Sequence, residues 1–106
     1  MAIDEGSVWV MNSGEATVTR VDLSTNSVVA TIKVAEYLVE GGDMSVGGGF
    51  AWARVSDELV AQIDPSTNSV VARYGPSFGS GSVAADGDAV WISAHDVTTV
   101  WRVPLG

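Results

Sequence analysis

The sequence predicts an all-β chain built from repeated four-stranded antiparallel sheets, and two observations carry that prediction. The first is repetition at a period of roughly forty residues: Asp22 to Ile32 reads DLSTNSVVATI, and Asp64 to Tyr74 reads DPSTNSVVARY. The second is that Trp9, Trp52 and Trp91 fall in apolar strand-like runs at corresponding places in three successive units, so the whole unit repeats and not only one turn. Four strand-like pieces in a unit of that length are the signature of a β-propeller blade.

The units align on their tryptophans. The first (1–34) predicts strands over Met1–Ile3, Val8–Asn12, Thr17–Asp22 and Ser27–Val34. The second (43–74) repeats them as Asp43–Gly47, Phe50–Val55, Leu59–Asp64 and Ser69–Tyr74. The third (82–106) supplies Ser82–Ala85, Ala89–Ser93 and Thr99–Val103, and stops where a fourth strand is due. Val18, Val60 and Val100 alternate with Arg20, Gln62 and Arg102, the period-two pattern of a strand lying between layers. Small residues (Ser45, Gly47, Ala84, Ala85) mark the innermost strand, where space near a propeller axis is tightest. Gly48, Gly49 and Gly87 suit a tight turn with positive φ. In the turn before the fourth strand, Pro65 is preset and Asn26 and Asn68 suit a left-handed position. Trp9, Trp52 and Trp91 are expected to pack between blades, while Trp101 is open to two readings, an exposed edge residue or an oligomer contact.

Only about two and three-quarter blades are present, whereas single rings take about four or more. Two chains of about three blades make a six-bladed ring, a common number, and three chains would make about nine, outside the usual range. The expectation is therefore a homodimer closing as one six-bladed ring, with the first blade of one copy against the third of the other. Thr98 to Val103 would remain as a short outer edge, which Arg102 and Pro104 help to protect from further pairing.

Composition narrows the function classes. With 13 acidic residues against 5 basic, the net charge of -8 opposes nucleic-acid binding and an anionic membrane surface, because both rely on Lys and Arg. There is no Cys, so disulfides, thiolate metal sites and Cys nucleophiles are excluded together. No run has the roughly 18 apolar residues of a membrane span. Met1 opens into AIDEGSVWV without a basic or apolar leader, so the chain as given reads as cytoplasmic, with an exported form whose signal has been removed as the other reading.

The stretch VWVMNSGEATVTRVDLSTNSVVATI and its echo AWARVSDELVAQIDPSTNSVVARY resemble the repeats of YVTN-type bacterial β-propellers, a group similar to the streptogramin lyase propellers. The resemblance covers essentially the whole chain and rests on residues that build blades. It implies a ring of six or seven complete blades, and on the lyase side a His and a Glu with a divalent metal eliminating across a cyclic ester. That constellation has no residue-by-residue match here.

Propeller ligands are expected on the loops joining second to third and fourth to first strands. In this chain those loops gather Asn12, Glu15, Arg54, Asp57 and Asp96 as candidate binding residues, with Glu36, Glu40, Asp43 and Glu58 nearby. His95, the sole His, stands beside Asp96 and is the candidate general acid or base, its pKa lying near neutrality; the other reading is a polar loop residue. Glu15, Asp57 and Asp96 are hard oxygen donors from three units, but carboxylates on an acidic chain read first as solvated surface, so no metal site or cofactor is assigned. No phosphate loop or nucleophile elbow is present: Gly47–Gly49 opens a strand and not a helix, and Gly79-Ser80-Gly81 lacks the spacing. The functional expectation is an oligomeric module presenting its loop face and channel to a small molecule or glycan. The alternative is a metal-assisted lyase or hydrolase using His95.

Overall fold

A computed structural model of the chain describes residues 2–3, 6–12, 14–35, 43–55, 60–75, 81–94 and 98–104. Within them lie eleven strands and no helix. The first sheet runs β1 (Ala2–Ile3), β2 (Ser7–Asn12), β3 (Thr17–Asp22), β4 (Ser27–Lys33) in spatial order. The second runs β5 (Asp43–Gly47), β6 (Phe50–Arg54), β7 (Val60–Asp64), β8 (Ser69–Tyr74). The third holds β9 (Val83–Ala85), β10 (Ala89–Ala94) and β11 (Thr99–Pro104), with β11 at its edge. All pairings are antiparallel, and this is a propeller-like all-β fold.

Register makes the repeat concrete. Trp9 pairs with Arg20, Trp52 with Gln62 and Trp91 with Arg102, so each tryptophan faces the same position of the third strand. Both complete sheets also carry an irregularity at one place, between Arg20 and Val21 and between Gln62 and Ile63. The turns leading into β4 and β8 are built alike. Asp22 Oδ1 accepts from the Ser24 amide and hydroxyl, both at 2.7 Å, and Asp64 Oδ1 accepts from the Ser66 amide at 2.8 Å and hydroxyl at 2.7 Å. Each turn closes with a left-handed asparagine, Asn26 at φ 57° and Asn68 at φ 53°, as the Asp-x-Ser-Thr-Asn pattern predicts.

The turns between first and second strands differ from one another. Gly48 and Gly49 both have positive φ, which matches the right-handed twist of a two-residue hairpin. Gly87, expected to do the same, does not. There the Asp86 carboxylate holds the turn instead, accepting from the Asp88 and Ala89 amides at 2.7 and 2.8 Å.

The core lies between the sheets. Trp9, Val18 and Ile32 of the first sheet pack on Ala51, Ala53 and Ile63 of the second. Trp52 and Val60, on the opposite face of the second sheet, pack on Val83, Val90 and Ile92 of the third. On the second sheet the small side chains of Ala51 and Ala53 leave room for the Trp9 indole. Trp52 is further fixed by its indole N–H donating to the Gly47 carbonyl at 3.1 Å, and by the rings of Phe50 and Tyr74, each 6.1 Å away.

Trp91 departs from the expectation of core packing. Trp9 and Trp52 are fully buried, but Trp91 is 45% exposed. Its neighbour in register terms behaves likewise, for Val18 and Val60 are buried and Val100 is 64% exposed. The cause is positional: a tryptophan is covered by the sheet that follows its own, and the third sheet is the last one described. Trp101 resolves differently from either reading, since it is half-buried against the cluster of Trp52, Val60 and Ile92, between the second and third sheets.

Candidate functional site

Several polar side chains assigned to the loop face are committed to the fold. Arg54, the last residue of β6, is 1% exposed. Its Nε donates to the Ser93 carbonyl at 3.2 Å and its Nη1 to the Val55 carbonyl at 2.6 Å. This guanidinium therefore ties the second sheet to the third. The side chain turns inward, because position 54 shares its face with Trp52.

Asn12 ends β2 and is half-buried. Its amide donates to Thr19 Oγ1 at 2.7 Å and Thr17 Oγ1 at 3.2 Å, across the strand pair. Glu15 is exposed, and its backbone amide closes the loop on the Asn12 carbonyl at 3.1 Å. Asp43 opens β5, and its Oδ2 accepts from the Val83 amide at 3.1 Å. Two residues on, Ser45 Oγ accepts from the Ala85 amide at 2.9 Å. These two side chains supply β9 with acceptors that a neighbouring strand would otherwise give, and so stitch the inner strands together. His95, Asp96, Asp57, Glu58, Glu36 and Glu40 lie outside the described residues. Among the described residues no three His, Asp or Glu side chains gather as a metal site would need.

Polar contacts between sheets that composition did not point to occur near the opposite, turn-bearing end. Arg20 lies over the Trp9 ring, 4.8 Å from its centroid. Its Nε donates to Ser7 Oγ at 2.9 Å, while Nη1 reaches the next sheet's turn, donating to the Pro65 carbonyl and to Asn68 Oδ1, both at 2.7 Å. A further contact lies at the loop-bearing end, where Arg73 near the end of β8 donates to the carbonyl of Val34, which follows β4. Arg20 was visible in the sequence only as the polar partner of Val18. Its alignment with Arg102 was the available signal. An open groove of about 550 Å³ lies beside Arg20, bounded by Gly6, Ser7, Asp22, Leu23, Ser24 and Val29.

The electrostatics are those of structural turns. The Ser24 hydroxyl and then its amide hold the Asp22 carboxyl below its ordinary value, and Ser66 does the same for Asp64 in the same order. The Asp86 carboxyl is lowered by the Asp88 amide and then the Ala89 amide.

With this geometry in place, comparison with solved structures defines the class: the chain has a propeller-like all-β fold. It is similar to the hydrazine synthase of Kuenenia stuttgartiensis, with TM-score 0.75 and 18% identity over 89% of this chain and 27% of that one. It is also similar to the glutaminyl cyclase of Myxococcus xanthus, with TM-score 0.51 and 14% identity over 98% of this chain and 58% of that one. The chain thus spans only part of the length of either protein, and at these identities the likeness concerns the fold alone. The chain matches no family model. No curated protein matches it.

Proposed function

We propose that this chain is a non-catalytic propeller module of the YVTN type that assembles with a second copy and presents its loop face and channel to a small molecule or glycan. The observation that carries the reading is the open outer face of the third sheet. Each of the first two tryptophans is sealed by a following sheet, whereas Trp91 and Val100 offer the same apolar surface uncovered. An indole and a valine side by side on a sheet face favour burial against a partner. Two copies meeting head to tail would make a six-bladed ring and bring the loops after the second and fourth strands together at one end. Within the described part of that end, Arg54, Asn12 and Asp43 serve the framework, which suits a rigid platform for recognition.

Light scattering coupled to size exclusion over a wide dilution range tests the assembly. The expected result is twice the mass of one chain. A single-chain mass at every concentration overturns the ring, and with it a channel formed from two copies.

A further inference from the structure

We infer that the outer face of the third sheet is a docking site for the Asp22–Asn26 turn of a second copy, with Arg102 donating to the Leu23 carbonyl and Asn26 Oδ1. This rests on the assembly proposed above and adds the contact that would specify it. The warrant is that the chain already makes this contact once, internally. Arg20 lies over Trp9 and donates to the carbonyl of Pro65 and to Asn68 Oδ1, the second and fifth residues of the Asp-x-Ser-Thr-Asn turn of the next sheet. Arg102 occupies the equivalent register opposite Trp91 and also lies over its ring, 5.7 Å from the centroid.

The other half of the contact is equally complete. In the Asp22–Asn26 turn the Asn26 amide donates to the Asp22 carbonyl at 2.8 Å, and in the Asp64–Asn68 turn the Asn68 amide donates to the Asp64 carbonyl at 2.8 Å. The two turns share the same aspartate–serine bonds and the same left-handed asparagine. The difference is occupancy: Pro65 and Asn68 are half-buried beneath Arg20, while Leu23 and Asn26 are exposed. Arg102 is exposed where Arg20 is half-buried. One copy cannot join its own Arg102 to its own first turn, because the second sheet stands between them. The surfaces around the contact also correspond. Val8, Val10, Val21 and Val28 of the first sheet stand in register where Ala51, Ala53, Ile63 and Val70 receive Trp9, and Val28 is 64% exposed. A groove of about 180 Å³ beside Trp91 and Val100 leaves space for such side chains. A docked turn and its sheet would thus complete on Trp91 what the second sheet completes on Trp9.

The test is a double-mutant cycle on the full chain, read as the dissociation constant of the assembly. Arg102→Ala removes the donor. Asn26→Gly removes the side-chain acceptor, leaving the Leu23 carbonyl, while keeping a residue at ease with positive φ. Each is expected to weaken assembly at least tenfold, roughly the loss of one charge-assisted hydrogen bond. The double variant is expected to be little weaker than Arg102→Ala alone, because that change already removes the bond that Asn26→Gly removes. Circular dichroism establishes that each variant keeps its strands, and Arg102→Lys, which keeps the charge but not the fork, is expected to weaken assembly as well. A dimer unaffected by these changes, or strictly additive losses, overturns the Arg102–turn contact while leaving the assembly intact. A native chain that stays monomeric overturns both. Growing, polydisperse assemblies broken by the same variants support the contact and overturn ring closure.

Discussion

Gly47 and Ala85, on the innermost strands of consecutive sheets, approach so closely that a Cβ placed on Gly47 would stand 2.8 Å from the Ala85 Cβ and 2.9 Å from its carbonyl carbon. Backbone, unlike the tip of a flexible side chain, cannot yield cheaply. Gly47→Ala is therefore expected to push β5 and β9 apart and strain the Ser45–Ala85 hydrogen bond, destabilising the chain by about 1–3 kcal/mol. Thermal unfolding checks this, with Gly6→Ala as the control. No atom lies within 4 Å of a Cβ at Gly6, so that change is expected to stay within about 0.5 kcal/mol.

The two tryptophans at equivalent positions are expected to respond in different ways. Trp52→Ala empties the core between the second and third sheets and should cost about 3–5 kcal/mol. Trp91→Ala removes a ring already 45% exposed, so the folded monomer should lose about 1 kcal/mol or less, while the solution mass falls to that of one chain if the proposed assembly holds. Denaturant melts report the first effect and light scattering the second. Equal losses of fold stability in the two variants would contradict the asymmetry.

Arg54 separates a ligand-binding role from a structural one. Arg54→Ala removes the donor to the buried Val55 carbonyl and to the part-buried Ser93 carbonyl, and about 1–3 kcal/mol is expected for a buried polar group left without its partner. The melting temperature should drop even when no ligand is present. A variant with unchanged stability would return Arg54 to the loop face as a recognition residue.

Trp101→Glu tests the placement of that indole. With Trp101 packed beside Trp52 and Val60, a buried carboxylate should loosen the second and third sheets of the monomer itself. Limited proteolysis at a concentration below assembly would detect the loosening. Protection equal to that of the native chain would place Trp101 outside the core.

Local chemistry made much of this fold legible. Turn residues and period-two alternation are short-range signals, so the Asp-x-Ser-Thr-Asn turns and strand ends emerge from the sequence within about a residue of where they lie. What the sequence did not disclose depends on neighbours distant along the chain. Trp91 occupies the same local setting as Trp9 and Trp52, yet its exposure is decided by whether another sheet covers it. Arg54 looked like a loop cation because charge at a strand end is usually solvated, and its inward turn follows from two carbonyls, one of them on β10. The Gly87 turn differs from the expected one because the Asp86 carboxylate holds it, where positive φ closes the turn at Gly48 and Gly49. Of the candidate site, Asn12, Glu15 and Arg54 have a described environment, while His95, Asp57 and Asp96 lie outside the described residues.

The three turn carboxylates predict the direction of the acid response. Asp22, Asp64 and Asp86 each have a native pKa below the ordinary 3.8, because amides and hydroxyls donate to the ionised form. A group lowered on folding contributes stability that is complete above its unfolded value and is lost as pH falls through the lowered native value. Unfolding temperature should therefore hold level through neutral pH and decline below about pH 4 as these turns are protonated. Asp64→Asn keeps an acceptor oxygen but removes the titration, so its decline should be shallower than that of the native chain. All three carboxylates are solvent-accessible, so salt should screen the coulombic part of the effect and leave the hydrogen-bonded part, which leads in each turn, largely unchanged. Parallel acid profiles for the native chain and Asp64→Asn would show that the Ser66 contacts do not couple to folding.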